Sequence, residues 1–359
     1  MYTFSDRADR SLTLRPEMTA SVVRAFIEHN LGGRSLPVKL YYFGNMFRYE
    51  RPQAGRYREF WQLGVESLGS PGPAADAEVI TLAVRYIQDI GIGNAMLLLG
   101  SMGDERCRPP FIETLRRELS SRTEGLCDDC GQRLEFNPLR VFDCKKPGCR
   151  AALGDAPKMI DYLCPDCNDH FDQVKRLLDD VGVTYKVDPM LVRGFDYYTR
   201  TTFELTSDEL GAQNAVGGGG RYDRLVADYG GKPTPAVGFA LGVERMLLAV
   251  EAAGRTDNIE RPRIGVYIAV VEDGDRTTAF RLATELREAG LSVELDLMAR
   301  SLRAQMKSAD RLGAGTVVVM GPDELAKGEV TVRDLSDGTE SAVALPDLVA
   351  CLGATLNDD

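Results

Sequence analysis

Histidine is scarce in this sequence. Only His29 and His170 occur among 359 residues. Neither belongs to a recognisable triad or metal pattern, although His170 lies near a Cys-x-x-Cys pair, and a structural place is the plainer reading for His29. Acid–base chemistry built on histidine is therefore disfavoured, and any mechanism must rest on arginines and carboxylates. Long apolar runs are missing too. None approaches the ~18 residues of a membrane span, and the start carries no signal-peptide pattern, so a cytoplasmic location is expected. A basic excess is also lacking: the net charge is −11. Nucleic-acid binders carry a basic footprint, which leaves any such contact to local patches. There is no internal repeat and no low-complexity tract.

What is present is ordinary for a globular protein, with 44% hydrophobic and 27% charged residues. The length suggests two or three domains at about 100–200 residues each. Residues 1–17 read as a hairpin leading into "LTLRPE". Residues 19–30 have helical periodicity, with Val22, Val23, Phe26 and Ile27 on one side. "PVKLYYFGNMF" and "NAMLLLGS" read as strands, and "ADAEVITLAVRYIQDIG" as an amphipathic helix closed by Gly91. From about Glu105 the chain turns charged, helical and cysteine-rich, as an insertion would, before strand-rich sequence resumes at "YKVDPMLVRGFDYYTRTTFEL". The polar stretch 254–263 reads as a linker. Beyond it, alternating strands and helices predict a small α/β domain with a largely parallel sheet.

The densest chemistry lies in "FRYERPQAGRYREFWQLGVE", residues 47–66. Alternation along its second strand puts Trp61, Leu63 and Val65 on a packing face. Phe60, Gln62, Gly64 and Glu66 share the other face. In the first strand Arg48 and Glu50 share a side, opposite Phe47 and Tyr49. A hairpin with one solvated face is the bland reading. A mid-strand glycine, however, invites close approach, and Arg, Glu, Gln and an aromatic together suit a planar charged ligand such as a nucleotide. "GVERM" puts Arg245 in the first turn of a helix, where phosphate is favoured, or it is simply a surface arginine. "VGGGGRYD" lets a ligand near the backbone or is a flexible loop; it is not a P-loop. "LVRGFDYYTR" gathers Arg193, Asp196, Tyr197 and Tyr198, or is a strand end with core tyrosines.

Six of the eight cysteines cluster: Cys127, Cys130, Cys144, Cys149, Cys164 and Cys167. Their spacing without a signal peptide points to metal more than to disulfides. The pairs Cys127–Cys130 and Cys164–Cys167 suit one tetrahedral Zn²⁺ site, with Cys144 and Cys149 as further candidates; reduced thiols are the alternative.

Together these stretches carry a resemblance. Arg48-Tyr49-Glu50 with its arginine-rich loop resembles motif 2 of class II aminoacyl-tRNA synthetases, and "GFALGVERM" resembles motif 3. "LVRGFDYYTRTTFE" resembles the signature peptide of histidyl-tRNA synthetases, and "LTLRPEMTASVVRA", "GGGRYD" and "SLRAQMKSADRLGA" are similar to segments of the same family. The match runs in order along nearly the whole chain. It implies an α+β fold. A class II antiparallel-sheet catalytic domain would occupy 1–104 and 183–255, interrupted by a helical insertion at 105–182, with a small α/β anticodon-binding domain at 262–359.

The family's activity would follow: ATP-dependent ligation of L-histidine to tRNA(His) through a histidyl-adenylate, with Mg²⁺ on ATP. The resemblance gives Glu17 and Thr19 the histidine α-amino group. Gln62 and Glu66 would line the histidine pocket, with Tyr198 helping Glu66 recognise imidazole and Tyr197 shaping the pocket. Arg48 and Arg193 would act at the α-phosphate. Phe60 would stack on adenine, Arg245 would hold the distal phosphates, and Glu50 and Arg56 would complete the ATP site. Arg51 and Gln53 are expected near the tRNA acceptor end. Arg303, Lys307 and Arg311 form a basic stripe on one helix face for tRNA, or a solvated face. The rival expectation is a synthetase-like regulatory subunit of histidine biosynthesis that binds ligands without charging tRNA; the intact "RGFDYYT" and the last domain favour the enzyme. The family does not need zinc for its chemistry. Motif 1, which builds the family's homodimer interface, has no counterpart here, so the homodimer is not assured and the chain as given is expected to be weakly active or unstable. Met18 stands where the family often has glycine, beside Glu17 and Thr19.

Overall fold

The opening hairpin forms where expected, with β1 (Thr3–Ser5) antiparallel to β2 (Ser11–Thr13). The computed structural model describes residues 1–33, 35–49, 52, 55–121, 125–211, 214–255 and 264–355. It divides into two units, Met1–Thr256 and Asp257–Asp359.

The first unit is built on a seven-stranded sheet. Its members are β3 (Val38–Phe47), β4 (Glu59–Leu68), β5 (Ala95–Ser101), β6 (Tyr185–Val187), β7 (Thr199–Ser207), β8 (Ala215–Arg221) and β9 (Ala236–Gly242). They lie in the order β3-β4-β9-β8-β7-β5-β6, antiparallel except for β5 beside β6. Helices of this unit are α1 (Thr19–Glu28), α2 (Pro73–Asp89), α3 (Arg108–Ser120), α4 (Asp128–Phe136), α5 (Pro147–Gly154), α6 (Pro165–Asp180), α7 (Leu225–Asp228) and α8 (Val243–Ala252). Val23 and Phe26 of α1 are buried, as the periodicity predicts, and Gly91 beyond α2 takes φ 93°.

Alternation gives the sheet two unlike faces. Val65, Leu97, Leu99, Phe203, Leu205, Phe239 and Leu241 form one core with Ile80, Ala83 and Ile87 of α2 and Phe171, Val174 and Leu178 of α6. Thus α6, at the end of the cysteine-rich segment, packs on the main sheet. The opposite face carries Gln62 and Glu66 of β4, Gly218 and Gly220 of β8, and Gly238 and Gly242 of β9. One part of the strand reading is corrected at the edge of this sheet. Trp61 is 42% exposed, with its ring 4.9 Å from the exposed Phe43. Its face packs only from Val65 inward, because β3 is the edge strand and no described element covers that corner. A second correction concerns residues 188–198, which are turns and extended chain rather than strand. Asp188 accepts bonds from the Met190 and Leu191 amides, and Pro189 and Gly194 interrupt the ladder. A third is that the glycine run of "VGGGGRYD" is the regular inner strand β8, not a flexible loop.

Below the site the sheet is tied to α2 and α6 by a buried ionic network. The Arg221 Nε donates to both oxygens of Asp76 at 3.1 Å, and its Nη groups bond the Ser70 and Gly72 carbonyls. His170 Nε2 lies 3.3 Å from Asp76, so this histidine is structural. Burial raises the Asp76 pKa, but His170 and Arg221 outweigh it and keep the carboxylate ionised. His29 is exposed at the end of α1.

The second unit has a five-stranded sheet, order β11-β10-β12-β13-β14. Its strands are β10 (Val266–Val270), β11 (Val293–Leu295), β12 (Thr316–Met320), β13 (Glu329–Asp334) and β14 (Glu340–Ala344). Strands β10, β11 and β12 are parallel; β13 is antiparallel to β12, and β14 is antiparallel to β13. The expected largely parallel sheet is therefore mixed. The reason is a hairpin turn in "DLSDGT": Asp334 and Asp337 accept from the Ser336 and Thr339 amides, and Gly338 takes φ 77°. Helices α9 (Arg276–Glu288) and α12 (Leu348–Thr355) cover one face, and α10 (Leu302–Arg311) the other, with the short α11 (Pro322–Ala326) leading into β13.

The buried network predicts that Asp76→Ala lowers the unfolding free energy of the first unit by about 3–5 kcal/mol, because Arg221 is left buried without its partner. Removing the exposed Arg85–Asp89 pair by Arg85→Ala should cost under about 0.5 kcal/mol. Urea denaturation of the two variants tests the contrast.

Candidate active site

The polar face of the large sheet floors a cavity of about 890 Å³. Its deepest ionisable group is Glu66, 1% exposed on β4. Thr19 Oγ1 donates to Glu66 Oε1 at 2.7 Å, and Tyr222 Oη donates to Oε2 at 2.5 Å. Glycine makes room for this arrangement. A Cβ on Gly238, the cross-strand neighbour, would lie 1.7 Å from Glu66 Oε2. The mid-strand Gly64 is likewise required, because the Tyr42 ring crosses it and a Cβ there would come within 2.1 Å of Cζ. The sequence anticipated close approach at Gly64; what approaches is a side chain of the neighbouring strand. Burial pushes the Glu66 carboxyl up to about 8 despite the hydrogen bonds from Tyr222 and Thr19, and Glu17 adds to the rise.

Around Glu66 stand the other residues singled out from sequence. Glu17 is turned to the start of α1, its Oε2 accepting from the Thr19 amide at 2.7 Å and its Oε1 from the Ala20 amide at 3.1 Å. Met18 points away from the cavity, its methyl directed at Gly44. Gln62 is buried, and its Oε1 has no hydrogen-bond partner among the described residues. Arg193 Nη1 donates to Glu204 at 2.6 Å, while its buried Nε has no such partner. The Tyr197 ring lies 4.8 Å from Tyr198 and 5.8 Å from Tyr222, which closes an aromatic wall. A β-bulge in β7, with Arg200 at φ 49°, follows directly on Tyr198.

Farther out the cavity becomes cationic. The Arg48 guanidinium lies 4.7 Å from the centre of the Phe60 ring, and its Nε donates to the Pro16 carbonyl. Arg245, in the first turn of α8, donates to the carbonyls of Ala215 and Gly55. Burial, and after it the nearby Arg56 cation, lower the Arg245 pKa, against the opposing pull of Glu204. Glu50, Arg51 and Gln53 lie outside the described residues.

Sequence reasoning missed Tyr42, Tyr222 and Glu204, and also a basic wall from the insertion, Arg133, Arg140 and Lys145. Tyr42 becomes readable only with the β3–β4 register, which pairs it with Gly64. The insertion residues carry no local signal. One expectation is corrected outright: Cys127–Cys130 and Cys164–Cys167 do not share a site. The first pair meets Cys144 and Cys149, the second meets Cys107 and Asp104. The pairs begin different helices, α4 and α6, whose starts converge on different neighbours. In the second unit Arg303, Lys307 and Arg311 are all exposed on α10, opposite its buried Gln305, Ser308 and Ala309.

An antiparallel sheet with an arginine after its motif 2 strand, an aromatic beside it and a second arginine at the start of the motif 3 helix defines a class II aminoacyl-tRNA synthetase core. Comparison with known proteins narrows this. The sequence profile of histidyl-tRNA synthetase matches residues 1–104 and 150–246, and that of an anticodon binding domain matches 265–355. The chain is 50% identical over 355 residues to a histidine–tRNA ligase of Desulforamulus reducens, covering 99% of this chain and 84% of that one. To the Moorella thermoacetica histidine–tRNA ligase it is 51% identical over 351 residues, 97% of this chain and 82% of the relative. The apo histidyl-tRNA synthetase of S. aureus superposes with a TM-score of 0.81 at 38% identity, covering 98% of this chain and 86% of that one. The chain belongs to the histidyl-tRNA synthetase family.

The Glu66 site predicts a pH effect of definite sign. A carboxyl whose folded pKa is near 8 and whose ordinary value is 4.5 binds its proton more tightly when folded. Its contribution to stability is thus complete below about pH 4.5, is lost as the pH rises to about 8, and spans on the order of a few kcal/mol. Thermal melts of the wild type should fall across that window, and Glu66→Gln should flatten this part of the slope. Parallel slopes for the two proteins would sink the assignment.

Proposed function

We propose that this chain activates L-histidine with ATP and transfers it to tRNA(His). The observation that carries the reading is the buried, partly satisfied Glu66 at the inner end of a cavity whose outer walls are arginines. A neutral-to-acidic inner pocket suits an imidazole, and a cationic outer pocket suits a triphosphate.

In this reading Glu66, held by Thr19 and Tyr222, meets the imidazole, with Tyr197 and Tyr198 as its walls. A site built to hydrogen-bond a polar side chain rejects analogues that leave its buried groups unpaired. Glu17, Thr19 and the open Gln62 Oε1 receive the α-ammonium. Phe60, already covered on one side by Arg48, offers its ring to adenine. Arg48 and Arg193 face the α-phosphate, and Arg56 and Arg245 the distal phosphates, with Glu50 assigned to the same ATP site. A histidine carboxylate oxygen attacks the α-phosphorus, the bond to the bridging β-oxygen breaks, and pyrophosphate leaves. The ribose hydroxyl of the tRNA end then attacks the adenylate carbonyl carbon, AMP departs, and the hydroxyl proton is released. No protein nucleophile is needed: positioning and the fixed charges of Arg48 and Arg193 lower the barrier. Glu204 and Glu244 line the same cavity and are the carboxylates that would hold Mg²⁺ brought in with ATP; the ion would neutralise phosphate charge there.

Arg51 and Gln53 are assigned to the tRNA acceptor end, and Arg303 and Lys307 to phosphate contacts elsewhere on the tRNA. Charging of tRNA, rather than ligand sensing by a regulatory subunit, is supported by the anticodon-binding match of the second unit. A catalytic domain at 1–104 and 183–255, an insertion at 105–182 and an anticodon-binding domain at 262–359 remain the proposed division.

ATP–pyrophosphate exchange tests the reading. Exchange should depend on histidine among the amino acids, and Arg48→Ala should lower kcat by about 10²–10³-fold. Glu66→Gln should act chiefly on histidine kcat/KM. Exchange driven equally by other amino acids would overturn the assignment. Arg303→Glu with Lys307→Glu should raise the KM for tRNA and leave exchange unchanged.

A further inference from the structure

The cysteine-rich segment has its own core of seventeen buried residues, five of them cysteines. A buried thiol packs as a small hydrophobe, but packing alone does not require the thiols to gather side by side.

They converge in two sets. Cys127 and Cys130, at the start of α4, meet Cys144 and Cys149, and the four sulfurs lie within 4.8 Å of one another. Cys127 Sγ is 4.0 Å from Cys144 Sγ, and the Cys127 amide donates to Cys149 Sγ at 3.2 Å. Cys164 and Cys167, at the start of α6, meet Cys107 and Asp104, again with all four donor atoms within 4.8 Å. Asp104 Oδ1 is 3.6 Å from Cys107 Sγ and 3.8 Å from Cys164 Sγ, and the Asp104 amide donates to Cys107 Sγ at 3.3 Å.

Three features fit metal better than a pair of thiol clusters. Tetrahedral zinc with bonds of about 2.3 Å holds its sulfurs about 3.8 Å apart, whereas a disulfide needs about 2.05 Å. Amide donors aimed at sulfur favour thiolates over thiols. Cations flank the second set: Arg106 Nη2 lies 2.7 Å from Asp104, and Arg200 Nη2 lies 3.9 Å from it. Such cations offset the net negative charge of zinc held by three thiolates and a carboxylate.

We propose that the chain binds two structural zinc ions, one at Cys127, Cys130, Cys144 and Cys149 and one at Asp104, Cys107, Cys164 and Cys167. Each set joins stretches distant in sequence. The first fastens α4 to α5, and the second fastens the loop after β5 to the start of α6. Elemental analysis of the full chain, purified without chelator, should find two zinc per chain. Cys149→Ser and Cys107→Ser should each lose one, from different sites. A measurement on the unaltered chain guards against variants that fail to fold. A mercurial reagent added to the native protein, with a zinc indicator present, should release two zinc in step with the loss of the clustered thiols. One zinc or none in the unaltered chain, unchanged content in the Cys107 variant, or fewer than eight free thiols after denaturation would overturn the two-site proposal.

Discussion

Burial of one carboxyl governs the architecture around the site. Glu66 sits on the sheet at 1% exposure, and a charge there without partners would be prohibitively costly. Everything adjacent is adapted to it. Gly238 has no side chain because Glu66 Oε2 occupies that space. Tyr222 and Thr19 donate to its two oxygens, one from the strand end after the glycine run and one from the start of α1. Those two bonds draw three elements remote in sequence onto one carboxyl, so pocket and fold are specified by the same contacts. The residual cost appears as a raised pKa.

Beneath that floor the sheet needs its own anchor, since four consecutive glycines in β8 contribute no side-chain packing. Arg221, the residue that ends the run, supplies it. It fixes the strand end to Asp76 in the first turn of α2 and to the carbonyls of Ser70 and Gly72. An inner strand of glycines, anchored at its end by a buried ion pair, brings bare backbone to the floor of the cavity.

Much of this was legible because it is local. Alternation from Phe60 to Glu66 put Gln62, Gly64 and Glu66 on one face, and the structure places that face in the cavity. The helical period of residues 19–30 picked out the buried side of α1. What failed was non-local. Tyr42 is meaningful only once β3 is registered against β4, and nothing within either strand announces that register. Arg221 and His170 read as ordinary polar residues until Asp76 is brought to them from about a hundred positions away. The cysteine grouping failed for the same reason. Sequence spacing pairs Cys-x-x-Cys units with each other, while the fold sends each unit to different partners. The antiparallel β14 was missed although "SDGT" carries a hairpin signal, because the preceding alternation of strands and helices suggested another crossover.

The insertion is more closely coupled to the site than its place in the chain implies. Asn137 donates to Asp196 at 2.7 Å, which holds the "RGFDYYT" segment from above. Arg108 at the start of α3 donates to the carbonyls of Met102, Gly103 and Tyr198. The same α3 follows directly on Cys107, so the Asp104–Cys167 cluster and the Tyr198 backbone are separated by a single arginine. Arg133, Arg140 and Lys145 then extend the cationic wall that Arg48, Arg56 and Arg245 begin on the sheet. That wall stands only as firmly as the inserted segment is held, by its own core and by its bonds to the sheet's edge. Metal cross-links at the starts of α4 and α6 would stiffen the segment where it meets the pocket and so fix the ground on which that wall stands.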